Sequence, residues 1–190
     1  MNRRFACAAA LILAAGMLQG CFPLAVTGMG AAALMATDRR SSGMYVEDEN
    51  IEWRVFARLR GEFPGAHVNA TSYNRRVLLT GQVPNEETKK KAEDAVRGVL
   101  NVREVVNELT VAGASSLASR GNDALITSNV KARMVNLGGV FSPTHVKVLT
   151  EANTVYLMGL VTSAEGDAAA EVARGAQGVS RVVKVFEYVN

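Results

Sequence analysis

The residues of this chain that could do chemistry are two histidines and two cysteines. His67 and His145 each precede a predicted strand. Neither has an acid or a second ligand spaced nearby in the sequence, as general-base catalysis or metal binding would need. The chain also has no nucleophile elbow, no P-loop and no dinucleotide-binding glycine motif. We therefore predict no catalytic residue, no metal site and no cofactor, and a structural role for both histidines at the starts of their strands.

Both cysteines, Cys7 and Cys21, lie in the apolar N-terminal stretch, so no disulfide and no cysteine-based zinc site can form beyond them. Cys21 stands where a covalent modification is expected. Two arginines near the start precede an uncharged run over residues 5–18, and Leu-Gln-Gly-Cys follows. This is the order of a secretory signal peptide. Its end resembles a bacterial lipobox, in which the cysteine receives diacylglycerol.

We predict that residues 1–20 are a lipoprotein signal peptide and that Cys21 becomes the lipidated first residue of the mature chain. A retained transmembrane helix and an incidental thiol are the alternatives. Phe22 stands where an aspartate would indicate retention in the inner membrane, by resemblance to lipoprotein sorting rules, and this favours the outer membrane. An anchor with more than one acyl chain gives stable attachment.

The composition is that of a globular protein, with 48% hydrophobic and 21% charged residues. The formal net charge of +3 falls to +1 without residues 1–20, which contain two arginines and no acid. This charge does not support a nucleic-acid partner. Residues 21–46 are predicted to be a lipidated tether, whose apolar first half could lie at the membrane surface. In its polar half, Asp38, Arg39 and Arg40 are either a contact with lipid headgroups or a solvated charge cluster.

Two similar segments, which we call the repeated phrase, are VLLTGQV over residues 77–83 and VYLMGLV over residues 155–161. The alignment that places Gly81 on Gly159 also places His67 on His145. The units are too long for solenoid repeats. We therefore predict two copies of one small domain, over residues 47–112 and 121–190, joined by a small, polar linker over residues 113–120.

Each copy has the pattern of helix, strand, strand, helix and strand. Apolar residues at helical spacing predict the first helix of both copies: Ile51, Val55 and Leu59 in one, and Ile126, Val130, Met134 and Leu137 in the other. Asn122 or Asp123 is the predicted N-cap of the second of these helices. Thr162 and Glu165 are a predicted capping box. The predicted fold class is α+β, in which each domain is a three-stranded sheet covered on one face by two helices.

Glycine inside a strand usually marks a bulge or the close approach of another element. Gly81 and Gly159 are therefore predicted to be structural, at the point where a helix or the neighbouring strand comes nearest. Trp53 is the one tryptophan. We predict that it lies at the edge of the core or between the domains rather than in a ligand platform.

The element order, the V-x-L-x-G-x-V strand and the closing G-V-x-x-V or N-V-x-x-V element resemble the BON domain (bacterial OsmY and nodulation). Two such units behind a lipobox resemble the dual BON-domain outer-membrane lipoproteins, and the resemblance covers the chain from Cys21 onward. It implies a non-enzymatic protein that is anchored in the inner leaflet of the outer membrane, faces the periplasm and supports envelope integrity.

The resemblance also implies that the first helix of the second domain binds anionic phospholipids such as phosphatidylglycerol and cardiolipin. The family pattern there is N-D-x-W-I-T-x-K-V, whereas this sequence has leucine at the Trp position and asparagine at the Lys position. The candidate lipid-binding residues are Leu125, Lys131, Arg133 and Val135. Packing against the other domain is the alternative for the two apolar residues, and a solvated helix face is the alternative for the two cations.

A second function stays open from the sequence. The protein could be a periplasmic scaffold for outer-membrane assembly or cell-wall remodelling proteins. It would then recruit its partner through the exposed face of a sheet or through an edge strand.

Overall fold

The computed structural model describes residues 38–64, 66–136 and 141–190, which belong to one compact unit. The predicted signal peptide, Cys21, the first part of the predicted tether and Leu137 lie outside the described residues. Within the described ranges, no helix combines the length and the apolar character that a membrane crossing needs.

The first half of the described chain contains six elements. They are α1 (Ser42–Glu62), β1 (His67–Tyr73), β2 (Arg76–Val83), α2 (Glu86–Arg97), β3 (Glu104–Asn107) and β4 (Thr110–Val111). Strand β2 is central, because it pairs with β1 in the antiparallel sense and with β3 and β4 in the parallel sense. The predicted last strand is divided in two, since the backbone N–H of Leu109 donates to the Asn107 side chain at 3.1 Å.

The second half repeats this arrangement. Its elements are α3 (Leu117–Asn136), a short 3-10 turn (Pro143–His145), β5 (Val146–Glu151), β6 (Thr154–Val161), α4 (Ser163–Arg174) and β7 (Arg181–Tyr188). Strand β6 is central, with β5 antiparallel on one side and β7 parallel on the other. The predicted α+β class with two helix-strand-strand-helix-strand units is therefore confirmed.

Polar side chains set the starts of the four described helices. Ser41, Asn85, Ser116 and Thr162 accept a hydrogen bond from a backbone N–H in the first turn of α1, α2, α3 and α4. Thr162 and Glu165 form the capping box that the sequence predicts.

The first helix of each unit begins earlier than the sequence indicates. Helix α1 begins at Ser42, inside the predicted tether, and α3 begins at Leu117, inside the predicted linker. The prediction that Asn122 or Asp123 caps α3 is wrong. Asp123 lies within the helix, and its carboxylate accepts hydrogen bonds from the backbone N–H groups of Ala152 and Asn153 at 2.9 Å each.

Each sheet has a hydrophobic core on its helix-covered side. The predicted stripe of α1 is buried against alternate residues of the central strand β2: Val77, Leu79 and Val83. The stripe of α3 is buried in the same way against Val155, Leu157 and Val161 of β6. Because side chains alternate across a strand, the residues between these point to the other face of each sheet.

The other faces of the two sheets pack on each other. Leu78 and Tyr73 of the first domain form one buried cluster with Tyr156, Met158 and Val185 of the second. Each central strand is thus covered on both faces, which explains why the two repeated phrases read as nearly continuous apolar runs.

Polar contacts surround this shared core. Buried Glu151 of the second domain accepts hydrogen bonds from Gln82 at 2.8 Å and from Asn69 at 3.1 Å in the first. Lys147 donates to Glu52 across the domain boundary at 2.8 Å. The mutual orientation of the domains is therefore determined by specific hydrogen bonds as well as by apolar packing.

The two glycines of the repeated phrase face the backbone of the neighbouring strand or turn. A Cβ atom at Gly81 would lie 2.0 Å from the carbonyl oxygen of His67, and one at Gly159 would lie 2.2 Å from that of His145. Gly81 also has a φ of +118°, which disfavours any other residue. The sequence left open whether a helix or a strand comes nearest to these glycines. The contact is with the backbone at the start of the first strand of each domain, and not with a helix.

Candidate functional site

The candidate lipid-binding helix α3 has one buried face and one exposed face. Ile126, Val130 and Met134 are buried against the second sheet. Leu125 and Val135 are 66% and 65% exposed. Packing against the other domain, the alternative for these two residues, does not account for such exposure.

The two candidate cations of α3 have different surroundings. Lys131 is exposed. At about 100° per residue, Lys131 lies on the same side of the helix as Val135, whereas Arg133 lies about 80° beyond Leu125 toward the buried face. The guanidinium of Arg133 lies against the end of α4, where a Cβ atom at Gly175 would be 2.7 Å from its Nη2 atom. The structure therefore places Lys131 beside Val135 on the exposed side of α3, about 120° around the helix from Leu125, and places the end of Arg133 against α4.

The exposed charges of α3 have one sign. Its three cations are Arg120, Lys131 and Arg133, and its one acid is Asp123. Asp123 is buried and holds the turn between β5 and β6. The outer face of α3 is thus apolar and cationic, which suits the headgroup layer of an anionic membrane.

The histidines have carboxylate neighbours that their sequence positions did not indicate. His67 Nε2 lies 3.9 Å from Glu151 Oε1, and His145 Nδ1 lies 3.8 Å from Glu165 Oε1. Glu151 is far from His67 in the chain, so only folding brings the two together. Among the described residues, no group of three or more His, Cys, Asp or Glu side chains is arranged to hold a metal ion.

Neither interpretation of Asp38, Arg39 and Arg40 was right. The side chain of Arg40 is only 5% exposed and pairs with Asp38 and Asp48 at 2.7 Å each. Its guanidinium also lies over the ring of Tyr73, 3.9 Å from the centroid. This charge cluster is a structural contact between the end of the tether and the first domain.

Arg39 contacts the second domain. It donates two hydrogen bonds to the carboxylate of Glu165 and one, at 2.9 Å, to the carbonyl oxygen of Leu160. The side-chain hydrogen bonds from Arg39 hold the pKa of Glu165 down at about 2. Burial, with a contribution from the Asp38 charge, raises the pKa of Tyr73 to about 12. The chain that leads from the tether is therefore attached to both domains.

The prediction that Trp53 lies at the edge of the core or between the domains is wrong. Trp53 is 71% exposed on α1, where its ring contacts that of Phe56. Phe56 was not predicted from the sequence to have a role. Its spacing of three residues from Trp53 on a helix whose buried stripe is already complete could have indicated a second apolar face.

Two tandem units of helix, strand, strand, helix and strand define a class of small α+β modules. The family model of the BON domain matches residues 47–113 and 122–190, and the chain belongs to the BON domain family.

Relatives extend this likeness beyond the domains. The outer membrane lipoprotein DolP of Haemophilus influenzae is 41% identical over 96% of this chain and 95% of its own length. The 21 kDa hemolysin of Actinobacillus pleuropneumoniae is 37% identical over 80% of this chain and 79% of its own. The osmotically inducible protein Y of Escherichia coli is 27% identical over 82% of this chain and 80% of its own.

The similarity to the Haemophilus lipoprotein extends over nearly all of both chains. The chain is accordingly an outer-membrane lipoprotein with a role in the cell envelope, held at the membrane by a lipid anchor. Neither the family model nor these relatives indicate an enzyme family.

Proposed function

We propose that Cys21 carries the lipid anchor and that α3 of the second domain binds anionic phospholipids on the periplasmic side of the outer membrane. The observation that carries this proposal is the outer side of α3, where Leu125 and Val135 are exposed and Lys131 lies next to Val135. The one acid of the helix, Asp123, is directed away from that face into the β5–β6 turn.

The anchor and the helix act together in this proposal. Acyl chains at Cys21 keep the protein at the bilayer, so that a weak site on α3 meets headgroups at high effective concentration. Leucine in place of the family's tryptophan leaves apolar burial as the contribution of residue 125, without the indole N–H that tryptophan would offer to the headgroup layer.

Hydrogen exchange on the full lipidated chain tests the site on α3. The chain is reconstituted in phosphatidylethanolamine vesicles, with and without phosphatidylglycerol or cardiolipin. We expect slower exchange over residues 117–136 only when an anionic lipid is present. Equal exchange in all of these vesicles would overturn the lipid site.

Four variants locate the site more closely. Leu125→Glu and Lys131→Gln should each abolish or reduce the lipid-dependent protection. Arg133→Gln should leave most of it, because Arg133 lies against the end of α4. Leu100→Glu is the matched control, since Leu100 is equally exposed in the first domain. Equal losses from the Lys131 and Arg133 variants would contradict the placement of the site on the outer face.

The scaffold function is the second candidate. The packing of the two sheets limits the surfaces on which a protein partner could bind. In each domain the sheet face opposite the helices packs on the sheet of the other domain. A partner would therefore have to add to an edge strand or dock on the helices. In-cell crosslinking from an edge position on β1 distinguishes the two functions. A reproducible protein adduct would favour the scaffold, and lipid adducts from α3 alone would favour lipid binding.

A further inference from the structure

The first domain has an exposed apolar surface of its own on α1. We call Trp53, Phe56 and Arg60 the aromatic stripe. Trp53 and Phe56 are 71% and 50% exposed, and their rings meet edge to face with centroids 6.3 Å apart. The guanidinium of Arg60 lies 5.8 Å from the centre of the Phe56 ring. About two turns before Trp53, Val46 extends the same face.

The fold does not need aromatic residues at these positions. The core of the first domain takes Ile51, Val55 and Leu59 from the opposite face of α1. The alignment that places Asp48 on Asp123 puts Ser128, Lys131 and Val135 of α3 where α1 has the stripe. The second domain thus folds in the same way without aromatic residues there, so their presence on α1 calls for a reason other than stability.

The chemistry of the stripe matches the interface between a membrane and water. Tryptophan rings lie at the level of the headgroups. Phenylalanine on the apolar face of an interfacial helix enters the boundary between headgroups and acyl chains, and an arginine beside it extends its guanidinium to the phosphates. Arg54 and Arg58 of α1 are paired with Glu47 and Glu62. Arg60 makes no ion pair within the described part of the chain, so its charge is available to a phosphate.

The tether brings the stripe within reach of the bilayer. Cys21 and Asp38 are separated by 17 residue steps in the sequence, which span at most about 60 Å. Asp38 is attached to the body through Arg40, which also binds Asp48 of α1. Trp53 lies about 17 Å along the helix axis from the start of α1. The stripe therefore belongs to the first element after the anchor in the part of the chain that the structure describes, close to where the tether joins the body.

We propose that the aromatic stripe is a second membrane contact, in which Trp53 and Phe56 enter the headgroup layer and Arg60 binds lipid phosphate. This inference rests on the proposed anchor at Cys21 and does not require the proposed site on α3. The stripe carries one cation, Arg60, and two aromatic rings, whose entry into the interface does not itself require an anionic lipid.

Trp53 is the only tryptophan of the chain, so its fluorescence reports directly on the stripe. The full lipidated chain is placed in phosphatidylethanolamine and phosphatidylglycerol vesicles that carry a doxyl-labelled phosphatidylcholine, with the label near the glycerol. An indole at the interface is quenched by such a label, and we expect at least about twofold quenching together with weak quenching by aqueous acrylamide. Phe56→Ala and Arg60→Gln should each reduce the lipid quenching.

Two further single-tryptophan chains provide matched controls. Leu100→Trp in a Trp53→Phe background moves the reporter to an exposed residue of the same domain, where we expect free access of acrylamide and no lipid quenching. Leu125→Trp in the same background reports on α3. Lipid quenching at Trp53 but not at the substituted residue 125 would support the stripe and contradict the site on α3, and the reverse result would do the opposite.

The proposal is overturned if acrylamide reaches Trp53 as freely as it reaches the indole in the Leu100→Trp chain and doxyl lipids leave Trp53 unquenched. It is also overturned if Trp53 is shielded from acrylamide but not quenched by the lipids, because a protein surface, such as a second copy of the chain, would then cover it.

Discussion

Gly81 and Gly159 are placed at backbone contacts that leave no room for a side chain. Each would direct a Cβ atom to within 2.2 Å or less of a carbonyl oxygen of the preceding strand or turn. Such an overlap requires the backbone to move, and at Gly81 the positive φ adds strain.

We expect Gly81→Ala and Gly159→Ala each to lower the free energy of unfolding by about 2 kcal/mol or more, with Gly81→Ala costing more because of its φ. Urea unfolding measures the change. Gly121→Ala is the control, since Gly121 lies within α3 with nothing near a Cβ atom. That variant should be neutral or stabilised by about 0.5–1 kcal/mol, as alanine favours a helix. Equal effects at all three positions would contradict the steric argument.

Glu165 makes the free energy of unfolding depend on pH in the acidic range. Hydrogen bonds from Arg39 hold its folded-state pKa at about 2, below the ordinary value of 4.5. The unfolded chain therefore binds more protons in that range, and stability falls as the pH is lowered from 4.5 toward 2.

We expect Arg39→Ala to be less stable than the parent chain at pH 7, with the difference shrinking as the pH approaches 2. Urea unfolding from pH 7 to pH 2 measures this. Arg58→Ala, which removes an exposed pair with Glu62, should change stability by about 0.5 kcal/mol or less. A difference between Arg39→Ala and parent that stays constant over the whole range would rule out Glu165 as the cause.

At the scale of elements, one acid on the first helix of each domain holds the following hairpin turn. Asp48 accepts from the backbone N–H groups of Asn74 and Arg75 at 2.8 Å each, and Asp123 does the same for Ala152 and Asn153. All four turn residues have positive φ, as a two-residue type I′ turn requires. The helix and hairpin are thus joined by the same device in both domains.

The two acids differ in one partner. Asp48 also pairs with buried Arg40, whereas Asp123 has no arginine partner among the described residues. We expect Asp48→Asn to cost about 3–5 kcal/mol, because it leaves a buried arginine less well compensated. Asp123→Asn should cost about 1–3 kcal/mol, the cost of a weakened buried hydrogen-bond site.

Urea unfolding of the two variants, together with the double variant Asp48→Asn with Arg40→Met, tests this. The double variant should recover part of the loss caused by Asp48→Asn, since the uncompensated charge is gone. If Asp48→Asn and Asp123→Asn cost the same, Arg40 does not account for the difference.

At the scale of the whole molecule, the sheets share a core that neither domain can complete alone. Leu78 is fully buried between them, against residues that include Tyr156 and Met158. Domains of about 70 residues have small cores, so this shared surface should couple their unfolding.

We expect the parent chain to unfold in one thermal transition and Leu78→Asp to unfold in two, because a buried unpaired carboxylate separates the sheets while each helix-side core remains. Calorimetry measures the transitions, and proteolysis near residues 113–116 should become faster. Leu100→Asp, at an exposed position, should keep the single transition. One transition at a lower temperature in Leu78→Asp would show that the domains do not fold separately.

Much of the fold could be predicted from local patterns. The helical stripes and the alternation along β2 and β6 follow from periods that each segment carries within itself, and the repeated phrase gave the two-domain arrangement. The starts of α1 and α3 could not be read in the same way. Asp123 has the residue type of an N-cap, but its partners are backbone groups about 30 residues later in the chain.

Part of the candidate site could be predicted from the sequence. The exposed position of Leu125 and Val135 follows from the helical period, once the buried stripe is known. The separation of Arg133 from Lys131 depends on the end of α4, and the burial of Arg40 depends on Asp48 and Tyr73. No local pattern shows which neighbour a long charged side chain will reach.

The sequence by itself determined the elements, their repetition and the family, because periodicity and turn chemistry act over a few residues. Tertiary structure decided which faces stay exposed. The packing of sheet on sheet buries Leu78 and Tyr156, brings Glu151 to Gln82 and attaches Arg39 to the second domain. It leaves the outer face of α3 and the aromatic stripe of α1 exposed to solvent. Which faces are exposed depends on contacts between residues that are distant in the chain, and local patterns do not determine these contacts.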